Sequence, residues 1–395
     1  MRIIQIFNRY REKGGEENSV DRMALHLRAN GHKVERFIRS SKEWEETSAP
    51  SSLLKPFLLI YNDPVLTELE RLHQKHAADV WIAHNILPVV SIGVYSLAKR
   101  LRVPIVQWLH NYRPLTLSGV LDRKDGIVKS PSICGYSIQA VRGDWLGRLP
   151  SLALSVSYLW AIHRRWFDHV AGWVAVSKAM GDHFAAADWY PDKIRILHHS
   201  WETKEPLGLK VKRSQFLFLG RMIPEKGLGF LLSLFQSKRL ENCRLVIAGD
   251  GLMKSEVLAL CQDCPDRFSY AGWVTGDKKC ELIARSNAIL FPSLWEEPLS
   301  TVAYEAYEQK RPILTSDRGG MAEIVCDKKT GRVLTVDDSQ PWLDAIVELS
   351  EEPDLADMLG NNGRNWLDAE RNGKRWVDQF DSLISDLTKE EIRPR

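Results

Sequence analysis

The sequence predicts an α/β protein of two doubly wound domains. Three observations carry this expectation: the length, the alternation of short apolar runs with amphipathic helical stretches, and a restart of that alternation beyond a polar linker. A chain of 395 residues exceeds the ~250–300 residues at which a single hydrophobic core stops growing. With 44% hydrophobic and 27% charged residues, the composition is that of an ordered globular protein.

Ile3–Phe7 reads as the first strand, broken by Asn8 and Arg9 too soon to be the core of a signal peptide. Glu17–Ala29 follows as a helix with Val20, Met23, Ala24 and Leu27 on one face; Gly31 stops it and His32–Phe37 starts the next strand. Val80–Ala83 and Ile105–Leu109 flank a helical stretch at Val89–Arg100, and this strand–helix–strand order demands a parallel sheet. Asn111–Trp145, rich in Gly, Ser, Asp, Lys and Arg and without a period, reads as an extended loop over a site mouth. The most apolar long stretch, Trp145–Ile162, contains Arg148, Pro150 and three serines, which makes it a poor membrane span. It reads as a buried or partly exposed helix; the alternative is a helix lying on a membrane with Trp145, Trp160 and Trp166 near the headgroups. Trp173–Val176 and Ile194–Leu197 are the remaining strands of this half.

Thr203–Arg213, with Lys204, Glu205, Pro206, Gly208, Lys210 and Lys212, has the composition of an interdomain linker. Strands then recur at Phe216–Leu219, Leu245–Ala248, Ala288–Phe291 and Pro312–Thr315, each followed by a helical pattern. Amphipathic, charged helices run from Trp342 to Leu387.

A formal charge of +3 is too slight to indicate nucleic acid as the partner. The six cysteines are scattered, and the close pair Cys261 and Cys264 lacks a second Cys or His pair for zinc, so reduced thiols in a cytoplasmic protein are expected.

In open α/β sheets ligands bind at the carboxyl ends of strands, so the motifs placed there matter most. After Phe216–Leu219 come Gly220, Arg221, Pro224, Glu225, Lys226 and Gly227, a glycine turn with two cations, suited to a diphosphate: Arg221 offers a planar fork and Lys226 a point charge. Alone, such a pair would read as solvated surface charge. A second group follows Ala288–Phe291, where Glu297 precedes a helix starting near Ser300 or Thr301 and Glu305 lies one turn inside it. Carboxylates at that place suit sugar hydroxyls, while singly they read as acids opposing a helix dipole.

The combination resembles the retaining glycosyltransferases of family 4, which have the GT-B fold. It comprises Gly220-Arg221 with Lys226-Gly227, Ala248-Gly249-Asp250-Gly251, Glu297 and Glu305 in a Glu-x7-Glu spacing, and Pro312-Ile313 with Gly319-Gly320 and Glu323. Looser agreement comes from Gly14-Gly15, Gly31-His32, Asp79 to Asn85, His110-Asn111 and Val174 to Ser177. The resemblance implies two Rossmann-like domains facing a cleft: an acceptor-binding domain over 1–205, a nucleotide-sugar-binding domain over 206–372, and a helix over 373–395 crossing back to the first domain. It implies that Arg221 and Lys226 neutralise the leaving diphosphate, Glu305 binds the ribose, and Glu297 contacts the donor sugar. Gly220, Leu299, Ser300 and Thr301 complete the donor pocket, Gly15 admits the donor to the first loop, and His110 sits beside donor sugar or acceptor. His84 reads as structural.

No Asp-x-Asp pair occurs, so the expected chemistry uses neither metal nor bound cofactor, with a UDP- or GDP-sugar as co-substrate and a saccharide or lipid-linked acceptor. The expected setting is surface polysaccharide or glycolipid assembly in the cytoplasm, with peripheral contact at the inner face of the cell membrane as a variant. Two departures stand out: His199-Ser200-Trp201-Glu202 replaces the Asn-Gly-x-Asp common in such enzymes, and Asn111–Trp145 lacks the cysteines of some relatives. The competing readings are a nucleotide-sugar epimerase and a non-catalytic nucleotide-sugar-binding subunit. A dinucleotide oxidoreductase is disfavoured because no Gly-x-Gly-x-x-Gly opens a strand–helix–strand unit.

Overall fold

A computed structural model describes residues 1–11, 14–121 and 131–392. The chain forms two compact units, Met1–Ser200 with Gly373–Arg395, and Trp201–Asn372.

In the first unit the elements run β1 (Arg2–Arg9), α1 (Gly15–Ala29), β2 (Lys33–Ser40), α2 (Lys55–Ile60), α3 (Asp63–His76), β3 (Val80–Ala83), α4 (Val94–Leu101), β4 (Ile105–Leu109), α5 (Ile133–Arg142), α6 (Arg148–His163), β5 (Val170–Ala175), α7 (Lys178–Ala186) and β6 (Ile194–Ile196). The six strands form one parallel sheet in the order β2-β1-β3-β4-β5-β6. Every residue of β3, β4 and β5 is buried, because helices cover both faces of a parallel sheet and leave no wet side to ask for alternation.

The second unit runs β7 (Lys212–Leu219), α8 (Leu228–Leu234), β8 (Arg244–Ala248), α9 (Lys254–Asp263), β9 (Phe268–Gly272), α10 (Gly276–Arg285), β10 (Ser286–Phe291), α11 (Val302–Glu308), β11 (Ile313–Ser316), β12 (Gly331–Leu334), α12 (Gln340–Glu351) and α13 (Pro353–Glu370). Its sheet is again parallel, in the order β12-β11-β10-β7-β8-β9. The chain builds β7 to β9 outward in one direction, then returns to the other side of β7 for β10. That reversal lies between β7 and β10, and it is where such sheets open a crevice at their carboxyl ends. Phe216, Phe218, Leu231, Leu245 and Trp342 fill the core beneath.

The last helix, α14 (Gly373–Ile392), belongs to the first unit and packs on α1 and β5. It buries Trp376, Phe380, Ile384 and Leu387. The Trp108 ring stacks on Phe380 at 6.2 Å, and the Trp376 indole donates 2.8 Å to the His198 carbonyl.

Several sequence-based expectations need correction. The helix expected over Val89–Arg100 begins at Val94: Ser91 has φ +80, and residues 89–92 are spent on tertiary bonds such as Asn62 Nδ2 to the Val89 carbonyl at 2.7 Å. The loop expected over Asn111–Trp145 contains α5, capped by Ser132, whose hydroxyl accepts from Gly135 N; residues 122–130 lie outside the described residues. Two strands, β9 and β12, were not expected, and β11 leads into a short 3-10 turn, Gly319–Glu323, in place of an α-helix. The change of unit falls at Ser200–Trp201, ahead of the expected 205–206. Trp201 is tied to the second unit by its N–H to the Arg371 carbonyl (3.1 Å), and Lys204 N donates to Glu308 Oε1 at 2.9 Å.

Candidate active site

At the reversal point of the second sheet, four loops leaving adjacent strand ends are tied together by their backbones. The loop after β7 meets the loop after β10 where Leu294 N donates to the Glu225 carbonyl at 2.8 Å. The same β7 loop meets the loop after β8 through Met222 N to the Asp250 carbonyl, also 2.8 Å. The loop after β11 closes the group: Gly319 N donates to Glu296 Oε2 (2.9 Å) and Gly320 N to the Glu297 carbonyl (2.8 Å).

Glycine is required at the tightest of these junctions. Gly227 has φ +72, and a Cβ there would fall inside the Pro292 carbonyl. The two loops can therefore lie in contact, and Lys226 reaches Glu297: Nζ to Oε2 is 2.5 Å, with the side chains only 11% and 9% exposed. Aromatic faces complete the ammonium's surroundings, with the Phe291 and Trp295 ring centroids at 5.2 and 5.4 Å. Arg221, by contrast, is exposed, and Gly220 continues the sheet with its N–H on the Ala248 carbonyl at 3.0 Å.

Leu299 is buried, Ser300 is half-buried with its hydroxyl accepting from Val302 N at 3.4 Å, and Thr301 caps α11 without a side-chain bond. Glu305 sits one turn into α11, half-buried, and Lys279 of α10 holds it at 2.8 Å. Both α8 and α11 are seven residues long, too short for the dipole to carry much of an anion's binding. The loop amides named above are spent on protein acceptors, so the cations Lys226 and Arg221 are what this loop cluster offers an anion.

In the first unit, Gly15 is the exposed first residue of α1, following the β1 strand end, and His110 follows β4. His110 is half-buried and lies among histidines. Its Nε2 is 2.9 Å from His84 Nδ1, and its ring stacks on His199 with centroids 6.0 Å apart and planes at 8°. His84 Nε2 is held by Gln5 at 3.2 Å and His199 Nδ1 by Ser19 at 2.8 Å. Burial pushes His84 down to about 3, with the Arg36 charge adding to it, and holds His110 well below the ordinary imidazole range with help from His84. A small cavity of about 40 Å³ beside them is lined in part by Glu16, His84, His110, Asn111 and Arg113. Burial raises the Glu16 carboxyl to about 7, against the opposing pull of Tyr10, Arg113 and the Asn85 backbone.

The structure thus joins Lys226 directly to Glu297 and puts Gly220, Arg221, Leu299, Ser300, Thr301 and Glu305 on the connected loops and helix of one unit, with Gly15 and His110 in the other. Sequence reasoning overlooked His199, Lys279 and Glu16. His199 stood in the sequence only as a departure from a pattern, and Lys279 and Glu16 carried no motif at all.

Comparison with known proteins agrees with this architecture. A family profile described as Glycosyltransferase Family 4 matches residues 13–204, and one described as Glycosyl transferases group 1 matches 199–366. A GDP-mannose-dependent alpha-(1-6)-phosphatidylinositol monomannoside mannosyltransferase of Mycobacterium tuberculosis is 28% identical over 188 residues, 45% of this chain and 48% of that protein. An alpha-D-kanosaminyltransferase of Streptomyces kanamyceticus is 27% identical over 165 residues, 41% and 42% of the two chains. The chain matches about half the length of these curated relatives. Among solved structures, sucrose-phosphate synthase from Thermosynechococcus elongatus superposes with a TM-score of 0.70 at 17% identity, covering 98% of this chain and 99% of that one. The HepE protein of Anabaena, in complex with UDP, does so with a TM-score of 0.67 at 16% identity, covering 98% and 100%. Two parallel six-stranded sheets and two glycosyltransferase profiles that between them run from residue 13 to 366 lead to one assignment: the chain belongs to the family 4 glycosyltransferases of GT-B fold.

Proposed function

We propose that the protein is a retaining, metal-independent glycosyltransferase that moves a sugar from a nucleotide diphosphate-sugar to a saccharide or lipid-linked acceptor. The observation that carries this reading is the Lys226–Glu297 pair at the sheet reversal, with an exposed Arg221 on the same loop as Lys226. In this reading residues 206–372 bind the donor and residues 1–205 bind the acceptor, with the helix over 373–395 returning to the latter.

Arg221 and Lys226 stabilise the charge that develops on the departing diphosphate, the place where stabilisation accelerates the chemical step. Fixed cations there replace the bridging metal that an Asp-x-Asp pair would hold, and the sequence has no such pair. Glu305 holds the ribose and Glu297 a hydroxyl of the transferred sugar, while Gly220, Leu299, Ser300 and Thr301 shape the pocket and Gly15 leaves room at the first loop. His110, kept neutral by burial, offers a hydrogen bond to the sugar or acceptor. The acceptor oxygen bonds to the anomeric carbon on the face from which the phosphate oxygen leaves, and its proton passes to that phosphate.

One relative is named as GDP-mannose-dependent and one structural neighbour was solved in complex with UDP, so both bases are candidates here. The proposed setting is surface polysaccharide or glycolipid assembly in the cytoplasm, with peripheral contact at the inner face of the cell membrane as a variant. A thermal-shift screen with UDP, GDP and their sugar nucleotides should raise the melting temperature for one base, since a ligand bound only by the native state stabilises it. With that donor, Lys226→Ala or Glu305→Ala should lower transfer by roughly 100-fold or more. Wild-type transfer in both variants would refute the reading, and conversion of the donor sugar without acceptor would indicate an epimerase.

A further inference from the structure

Helix α6 is apolar on both sides. Its buried face carries Leu154, Tyr158 and Ala161 together with Ser151, Ser155 and Ser157, while Leu149, Leu152, Val156 and Trp160 are 80%, 52%, 47% and 46% exposed. The four recur at helical spacing, so they form a single stripe along one side. The serines are content inside: Ser151 accepts from Trp145 N at 2.7 Å, and Ser155 and Ser157 each donate 2.8 Å to the carbonyl one turn back. Nothing in the interior therefore forces the apolar side chains outward.

The neighbours that α6 packs against also expose large apolar side chains. Helix α5 exposes Ile133 and Val141, at 72% and 68%. On the other flank, at the start of α2, Leu53 and Phe57 are 83% and 69% exposed. Scattered apolar residues on a surface are ordinary, but three packed helices exposing large side chains together mark an interaction surface.

Charge decides what covers it. Between Asp144 and Asp168 the chain contains no other Asp or Glu; Arg165 is paired with Asp168 at 2.6 Å, while Arg148 and Arg164 are exposed at the two ends of α6 and Arg142 ends α5. The Arg164 guanidinium lies 6.0 Å from the Trp160 ring centroid, so cation and aromatic sit together at the rim. An apolar stripe framed by arginines, with a tryptophan at its edge, complements an anionic bilayer: side chains enter the acyl boundary and guanidinium groups meet phosphates. The helix is 16 residues long and no helix among the described residues is long and apolar enough to cross a membrane, so α6 would lie in the interface.

We infer that the face formed by α6 with α5 and the start of α2 docks this protein on an anionic lipid surface. Of the tryptophans singled out in the sequence, Trp160 is the one that serves. Trp145 is buried, and Trp166 is half-buried beside Tyr61. This deepens the membrane part of the proposed function, yet its test reads binding alone and stands or falls separately from sugar transfer.

The test is flotation of the full chain with vesicles of phosphatidylcholine and phosphatidylglycerol, against phosphatidylcholine alone. The wild type should float with the anionic vesicles and far less with the neutral ones, and binding should weaken as salt rises. Leu149→Glu/Leu152→Glu should bind at least roughly tenfold more weakly, and Arg148→Glu/Arg164→Glu should lose the preference for anionic lipid. Both variants change exposed residues, so an unchanged circular dichroism spectrum and melting temperature will separate lost docking from lost folding. A wild type that stays with neither vesicle, or a leucine variant that binds like wild type, overturns the inference. So does a concentration-dependent dimer that the leucine variant abolishes while vesicle binding persists, because a second copy would then cover the face.

Discussion

The Lys226–Glu297 pair allows stability and chemistry to be separated. At 2.5 Å, and with an effective dielectric of ~20, the two charges attract by roughly 6–7 kcal/mol before desolvation is counted. Both side chains are about nine-tenths buried, so much of that attraction only offsets the loss of water. Removing one partner strands the other, at a cost of ~3–5 kcal/mol. At ~2–4 °C per kcal/mol for a domain of this size, Lys226→Met and Glu297→Gln should each lower the melting temperature by roughly 6–20 °C. The double variant leaves no stranded charge and should recover most of the loss, while transferring no sugar. Nucleotide binding breaks the symmetry between the singles. Glu297→Gln frees an ammonium for a diphosphate, so UDP or GDP should stabilise it more than wild type; Lys226→Met should gain nothing from either. Differential scanning fluorimetry with and without nucleotide reads all four arms. Single variants melting within about 2 °C of wild type would show that the pair is not buried as described, and a larger nucleotide shift in Lys226→Met than in Glu297→Gln would refute the assignment of Lys226 to the phosphates.

Other perturbations follow from the same geometry. Gly227→Ala forces a side chain into left-handed backbone, at ~1–2 kcal/mol, and against the Pro292 carbonyl; it should lower the melting temperature and abolish the nucleotide shift together. Lys279→Met leaves Glu305, whose side chain is only 14% exposed, without its cation, so it should cost ~1–3 kcal/mol of stability and raise the donor KM by releasing Glu305. His84 is depressed from 6.5 to about 3, so its contribution is present above pH 6.5 and is lost as the pH falls towards 3. Glu16 is raised from 4.5 to about 7, so its contribution is present below pH 4.5 and is lost as the pH rises through 7. Between pH 4.5 and 6.5 the two slopes oppose each other, so His84→Gln should show stability falling with rising pH in denaturant titrations, and Glu16→Gln the reverse; parallel curves for both would refute the opposition.

What could be read from sequence, and what could not, divides along physical lines. Strands β3, β4, β5, β7, β8 and β10 lie inside their sheets and each contains a short, mainly apolar run, which makes them legible in the sequence. The two overlooked strands, β9 and β12, are the two edges of the second sheet: each carries a glycine and half-exposed residues, so neither shows a run or a clean alternation. Helix α5 was hidden for a related reason, since Gly135 and Ser137 interrupt its period and Ser132 caps it from within a polar stretch.

The candidate site shows a sharper boundary. Lys226 and Glu297 were each identifiable from local spacing, but their contact spans 71 residues and exists only because β10 returns to the side of β7, a fact of topology that no local pattern carries. His110 was recognised at a strand end, while the imidazoles that define its environment come from β3's end and from His199, brought together by the sheet alone. Helix α6 is the clearest case. Its composition revealed an apolar helix, but composition does not say which face turns inward. That the fold buries Leu154 and Tyr158 with the three serines, and leaves Leu149, Leu152, Val156 and Trp160 outside, is information held only in three dimensions, and it turns an ordinary stretch of sequence into a surface with a testable partner.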